Sequence, residues 1–256
     1  MTESTAIVTG ASQGIGRATA IRLAKDFTNI VLVARNGASL HETAKEVENV
    51  GATALVLDLD LSQASTADVI VSKTLKKFGR IDALLNIAGA VPQVDILEMT
   101  DEQWNVGAEL KLHGARRLTI RAWESLKDSR GSVILMSGNS ALFPKAGYAA
   151  VGTINAAIVA LAKAFADKGI VDGVQVNSVL PGPVMTGRRE SYLAKWAPAH
   201  GMTVEEALVK FPKEAGIERY GRPEEIAELM AFLVSPGVRW MTGSAVRMDG
   251  NEVKSI

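Results

Sequence analysis

Three glycines, Gly10, Gly14 and Gly16, recur at fixed spacing in the run Thr9-Gly10-Ala11-Ser12-Gln13-Gly14-Ile15-Gly16-Arg17. The run follows a short apolar stretch and opens a helical pattern, the setting in which such a loop binds a dinucleotide. Gly10 permits a tight turn, Gly14 lets backbone approach a pyrophosphate, and Gly16 allows close packing of helix on strand. The helix N-terminus then offers free N–H groups and a positive dipole end to phosphates. Gly10, Ser12, Gln13, Gly14, Ile15 and Gly16 are therefore candidate cofactor contacts. A P-loop is excluded, because no Gly-Lys-Ser/Thr follows. The second apolar run ends Val33-Ala34-Arg35-Asn36. It offers no carboxylate to the adenosine ribose, whereas Arg35 can pair with a 2′-phosphate. NADP(H) is the expected cofactor, ahead of NAD(H).

The elements that position these residues are read from hydropathy. Near-continuous apolar runs at Ala6–Thr9, Ile30–Ala34, Ala54–Leu57, Ala83–Ile87, Ser132–Met136, Gln175–Leu180 and Ala245–Met248 predict strands covered on both faces. Helical patterns lie between them at Ile15–Asp26, Ser39–Val50, Ala64–Phe78, Asp101–Leu126, Ala149–Lys168 and Pro223–Val234. Thr100 before Asp101-Glu102, and Pro223 at a first helical position, are good helix starts. Seven strands alternating with helices predict a doubly wound α/β Rossmann fold: a seven-stranded parallel sheet with helices on both faces. No linker or repeat divides residues 1–256, so one domain is expected. Within it, Gly187–Arg222 interrupts the alternation as a substrate-lobe insertion at the ligand-binding edge of the sheet.

Composition narrows the function. Lys plus Arg and Asp plus Glu number 28 each, which leaves no positive excess to hold nucleic acid or anionic lipid. No cysteine is present, so disulfides, thiolate catalysis and Cys-ligated zinc are excluded. His41, His113 and His200 show no metal spacing; the first two read as helix-surface residues, and His200 lies in the insertion. The N-terminus lacks the basic and long apolar regions of a signal peptide, and no run approaches the roughly 18 apolar residues of a membrane span. A cytoplasmic protein with a small-molecule substrate is expected.

Over nearly its whole length the chain resembles the short-chain dehydrogenase/reductase family. Thr9-Gly10-x3-Gly14-x-Gly16 matches its TGxxxGxG motif. Asp60-Leu61-Ser62 is similar to its Asp-Val-Thr/Ser segment, whose Asp meets the adenine amino group. Asn86-Ile87-Ala88-Gly89 resembles NNAG beside the cofactor, which makes Asn86, Ala88 and Gly89 candidate contacts. Asn177-Ser178-Val179-Leu180-Pro181-Gly182 with Thr186 is similar to the stretch at the nicotinamide, implicating Pro181, Gly182, Val184 and Thr186. Gly221-Arg222-Pro223-Glu224-Glu225-Ile226-Ala227 and Met248-Asp249-Gly250-Asn251 match its C-terminal signatures.

The same resemblance implies an Asn, Ser, Tyr and Lys that handle the substrate proton, with Ser-x12-Tyr-x3-Lys in sequence. Tyr148-Ala149-Ala150 resembles the family's YAA, but that register puts Gly152 at Lys and needs gaps. A gapless register, anchored on Asn155 to Lys163 and on Pro181, puts Val151 at Tyr, Asn155 at Lys and Gly138 at Ser. Trp104-x6-Lys111-Leu112 puts Lys111 at Asn. All four catalytic positions are then changed while the cofactor motifs are kept. Asn155 can still bond a ribose hydroxyl. Lys111 either restores the missing cation from another helix or points to solvent. Tyr148 offers a displaced phenol or packs over a helix start, and Ser137 or Ser140 offers a hydroxyl or bonds backbone. Lys111, Ser137, Tyr148 and Asn155 are the candidate catalytic residues.

Three functions fit. The first is an NADP(H)-dependent oxidoreductase acting on a carbonyl or alcohol. The alternatives are a catalytically silent NADP(H)-binding pseudo-enzyme that senses or scaffolds, and a related chemistry such as isomerisation or dehydration. The resemblance further implies a homo-oligomer, tetramer or dimer, paired through the helices Asp101–Leu126 and Ala149–Lys168. Arg35 yields a direct test. NADPH should bind more tightly than NADH, and Arg35→Asp should reverse the order in fluorescence titrations. Equal affinities in the unaltered protein would remove the assignment.

Overall fold

The computed structural model describes residues 3–255. Seven parallel strands form one sheet: β1 (Thr5–Thr9), β2 (Asn29–Ala34), β3 (Thr53–Asp58), β4 (Ala83–Asn86), β5 (Ser132–Met136), β6 (Gln175–Pro181) and β7 (Ala245–Met248). Their order is β3-β2-β1-β4-β5-β6-β7. Every residue of β1, β4 and β6 is buried, whereas the edge strand β7 is largely open. This explains the continuous apolar runs of the central strands: both faces are covered by helices.

Helices α1 (Gly14–Leu23), α2 (Gly37–Val50) and α9 (Pro223–Leu233) cover one face, where Leu23, Leu40, Val47 and Met230 join the strand side chains. Helices α3 (Thr66–Phe78), α5 (Gly114–Asp128) and α6 (Ala149–Asp172) cover the other, contributing Ile70, Leu118, Leu126 and Ile158. The chain leaves β1 toward β2 on one side and returns to β4 on the other. The C-terminal ends of β1 and β4 therefore border a crevice, the place where open α/β sheets bind ligands.

The expected helix Asp101–Leu126 departs from a regular α-helix. A helix α4 (Asp101–Gly107), started by a Thr100–Gln103 capping box, runs into a π-helical segment, Ala108–His113, and continues as α5. Hydropathy at a 3.6-residue period carries no signal for one widened turn, and such turns concentrate at functional sites. The segment is bounded by Gly107 and Gly114, where an added Cβ would lie 2.8 Å from Val91 and from the Leu61 carbonyl oxygen. His113 belongs to this segment and is half-buried, with Nδ1 unpartnered, so it is not the helix-surface residue expected.

The insertion folds as a helical hairpin, α7 (Gly187–Ala199) and α8 (Val204–Ala215). Leu193, Ala197, Ala207 and Tyr220 form a small core of its own. A bridge between Val184 and Gly221 closes its base.

Close approach of α1 to β1 depends on Gly16. A Cβ there would lie 2.1 Å from the Gly10 carbonyl oxygen. Gly16→Ala must push the helix off the turn, costing about 1–3 kcal/mol as overpacking does. Thermal denaturation should show a midpoint lowered by several degrees. Gly237→Ala, with nothing within 4 Å of the new methyl group, should leave it unchanged.

Candidate active site

At the crevice, the β1–α1 loop holds Gly10 at φ +70° and Gly14 at φ +55°, left-handed values that favour glycine. Thr9 fixes the loop to the next strand: its Oγ1 accepts from the backbone N–H groups of Ile87 and Ala88 at 2.9 and 3.0 Å. Helix α1 begins at Gly14 without a side-chain cap and without an acidic residue in its first turn. Its leading N–H groups and positive dipole end therefore remain available to an anion.

A cleft of about 420 Å³ opens over this terminus. Of the expected cofactor contacts, Gly10, Ser12, Gln13, Gly14, Ile15, Gly16, Arg35, Ala88, Gly89 and Thr186 line it. Arg35 is exposed there and makes no ion pair with a carboxylate among the described residues. The remaining candidates do not line the cleft. Asp60 stands between the lining residues Leu59 and Leu61, with Oδ1 accepting from the Ser62 N–H at 2.9 Å. Asn86 is buried, donating to Thr119 Oγ1 at 3.1 Å while its Oδ1 has no partner. Pro181 pairs with Met248, Gly182 packs on Asp249, and Val184 bridges to Gly221. The glycine cradle, the uncapped helix and the lone Arg35 suit a dinucleotide pyrophosphate with a 2′-phosphate on its adenosine.

Beyond Gly89 lies a second, buried network. The Lys111 side chain runs beneath Gly89, where a Cβ would come within 2.9 Å of its Cδ. Its Nζ donates to Asn155 Oδ1 at 2.5 Å and to the Ser137 carbonyl at 3.0 Å. Asn155 Nδ2 donates to Ser140 Oγ at 2.8 Å, and Ser137 Oγ donates to the Asn155 carbonyl at 2.7 Å. Gly138 completes the fit, since a Cβ there would sit 2.7 Å from Asn155 Nδ2. Lys111, Ser137 and Asn155 are thus brought together. Burial, and then the positive Arg188, draw the Lys111 ammonium down to about 7.

Tyr148 stands apart at the N-cap position of α6, outside the residues that line the cleft. Burial and then the negative Glu252 push its phenol up, while Arg189 opposes.

A family model described as enoyl-(acyl carrier protein) reductase matches residues 10–250. The chain belongs to the short-chain dehydrogenase/reductase family. A 3-oxoacyl-[acyl-carrier-protein] reductase of Synechocystis is 30% identical over 256 residues, covering 99% of this chain and 98% of the relative. Among solved structures, L-sorbose reductase from Gluconobacter frateurii, complexed with NADPH and L-sorbose, superposes with a TM-score of 0.95. It is 30% identical, with 100% of this chain and 98% of that one covered. The actinorhodin polyketide ketoreductase with NADPH gives 0.92 at 27% identity, covering 98% and 97%. The seven-stranded Rossmann fold of this short-chain reductase relative is the one expected from its sequence.

Some residues at the site carried no sequence signal. Arg188 lines the cleft and donates to the Gly89 and Val91 carbonyls at 3.2 and 3.3 Å, but reads in sequence as one of many charges in the insertion. His200 stacks on Trp196 at 4.1 Å within the lobe.

The buried Lys111 makes stability depend on pH. Its folded value, about 7, is below the ordinary 10.5, so between these values the unfolded chain binds more protons. Stability must therefore rise with pH across that window, by at most about 1.4 kcal/mol per pH unit. The difference in unfolding free energy between the unaltered protein and Lys111→Met should follow this slope in urea titrations, and a flat difference would contradict it.

Proposed function

We propose that the protein is an NADP(H)-dependent oxidoreductase acting on a carbonyl or alcohol, with Lys111 supplying the cation beside the nicotinamide. One observation carries this reading. In the gapless register the family's Asn position holds Lys111 and its Lys position holds Asn155, and Lys111 Nζ meets Asn155 Oδ1 at 2.5 Å. The two residue types are exchanged between helices, and an amine returns to the same neighbourhood from the other side.

The cofactor, when bound, supplies the hydride. The α1 N-terminus and Arg35 would hold its phosphates, as the NADPH complexes of two structural relatives support. Asn155 retains an amide able to bond a ribose hydroxyl. Lys111, charged below its value of about 7, would join Arg188 in offering positive charge to a substrate oxygen as it becomes negative, and a preoriented cation in a water-poor site stabilises such charge strongly. Ser137 donates its hydroxyl to the Asn155 backbone carbonyl, and Ser140 accepts from the Asn155 side-chain amide, which leaves the Ser140 O–H free to donate.

The catalytically silent NADP(H) binder is the second reading, supported by Gly138 and Val151, which bring no hydroxyl to the substrate side. The oligomer is also our proposal. Ala156, Ala160 and Ala164 of α6 are exposed, as are Ile120 on α5 and Ile170 and Val171 on α6, a surface suited to pairing of these helices between copies in the cytoplasm.

The two functional readings separate in one assay. Purified protein with NADPH and a panel of ketones, aldehydes and quinones should lose reduced-cofactor absorbance; NADPH binding without turnover selects the silent binder. In the active case Lys111→Met should lower the rate about 30- to 1000-fold, or about 2–4 kcal/mol, with NADPH binding retained.

A further inference from the structure

The cleft carries more positive charge than the cofactor calls for. Among the described residues, none that lines it is an Asp or Glu, and two are arginines, Arg35 and Arg188. Arg35 follows β2, whereas Arg188 bonds to residues that follow β4, and those strands flank β1 on opposite sides. Arg35 suits the 2′-phosphate, and the uncapped start of α1 meets the pyrophosphate. Arg188 faces a substrate oxygen whose charge exists only in passing. In the ground state it has no counter-charge.

Two neighbours fix its place. Nη1 donates to the Gly89 carbonyl at 3.2 Å, and Gly89 is the residue beneath which the Lys111 methylenes run. Nη2 donates to the Val91 carbonyl at 3.3 Å, and Val91 belongs to the apolar cluster against which Val151 packs. Arg188 therefore stands at the catalytic end of the cleft. The glycine loop is faced by Thr186 instead: a Cβ at Gly14 would lie 3.2 Å from Thr186 Cγ2. Both Arg188 bonds are long and reach neutral oxygens, and a guanidinium has more N–H donors than two carbonyls take up. Arg188 is exposed to the cleft and makes no ion pair among the described residues.

We infer that Arg188 anchors a carboxylate on the substrate, which makes that substrate a short oxo acid or the matching hydroxy acid. The inference rests on the oxidoreductase reading. A carboxylate fits the guanidinium fork bidentately and brings the charge that the lining lacks. Lys111 and Arg188 share Gly89 as a neighbour, so the carboxylate and the reacting carbonyl must be close, attached directly or one carbon apart. A guanidinium so placed bonds the carboxylate and lies beside the oxygen that becomes negative. In reduction the carbonyl carbon takes a hydride from NADPH, the C=O π pair moves to oxygen, and that oxygen takes a proton drawn from solvent. Arg188 gives up neither proton nor electron; it sets the position. A carbonyl compound without the carboxylate leaves the cation unpaired.

The test pairs each acid with an uncharged ester in NADPH-dependent reduction: pyruvate with methyl pyruvate, and acetoacetate with ethyl acetoacetate. In the unaltered protein the better acid should exceed its ester about 100-fold in kcat/KM. Arg188→Met should erase most of that ratio, chiefly through the KM of the acid, with NADPH affinity unchanged. Arg188→Lys keeps the charge without the fork and should restore about tenfold. Charge offered to the oxygen, or a merely structural bond to Gly89 and Val91, affects acid and ester alike, so the ratio reads the carboxylate alone. A second readout needs no turnover. Calorimetry should show the acids binding the NADP+ complex, which has no hydride to give, and binding about 100-fold more weakly in Arg188→Met. If Arg188→Met does not fold, Arg188→Gln carries both measurements. Esters reduced as well as the acids, a ratio that survives the substitution, or NADPH affinity lost with Arg188 overturns the assignment. NADPH binding with no reduction of any probe removes the oxidoreductase reading instead, and calorimetry then still decides for or against the carboxylate.

Discussion

An amine buried between two neutral oxygens sets the terms for this half of the molecule. Taking an ammonium out of water costs several kcal/mol unless it is well bonded or gives up its proton. Lys111 has the Asn155 amide oxygen and the Ser137 carbonyl as acceptors and, among the described residues, no carboxylate. Its neighbours are shaped around that arrangement. Gly89 leaves room for its methylenes, and Gly138 leaves room for the Asn155 amide that receives it. The widened π-turn sets the backbone from which it reaches across. Lys111, Gly138 and Asn155 are one interlocking set: a Cβ at 138 would strike the very amide that meets the lysine.

That coupling also clarifies how much could be read from sequence. The glycine loop, the strand alternation, the Thr100 cap and Pro223 at the start of α9 are governed by local rules, and each was legible because backbone geometry there is dictated within a few residues. Arg35 was legible for the same reason, one residue past a strand end. The register that sets Lys111 at the family's Asn position and Asn155 at its Lys position was read from the sequence, but not the contact between them, 44 residues apart. Nor was it visible that Ser137 would donate to the Asn155 carbonyl while Ser140 accepts from its side-chain amide. The Asn139–Glu252 bond and the placement of Arg188 over Gly89 depend on where distant segments converge, which no local pattern encodes.

The cofactor and substrate ends are supported by different physics. Around the glycine loop, rigidity comes from the sheet: Thr9 binds the end of β1 to the start of the β4 loop, and the floor cannot move without breaking strand contacts. At the other end, Arg189 lies among Tyr192, Phe211 and Tyr220 at 5.2–6.0 Å in a lobe whose packing is separate from the main cores.

The bridge at the base of that lobe has a consequence for descent. Val184 and Gly221 are held side by side, with the backbone bonded from Met185 to Gly221 and from Gly221 to Pro183. Everything between them leaves and re-enters the fold through one narrow neck. With the neck fixed, altering the length of the excursion changes its closure entropy only logarithmically. The hairpin can therefore be lengthened, shortened or exchanged for another without disturbing β6 or α9. Diversification within such a lineage is expected to concentrate here, one segment trading chemistries while the sheet beneath it is inherited intact.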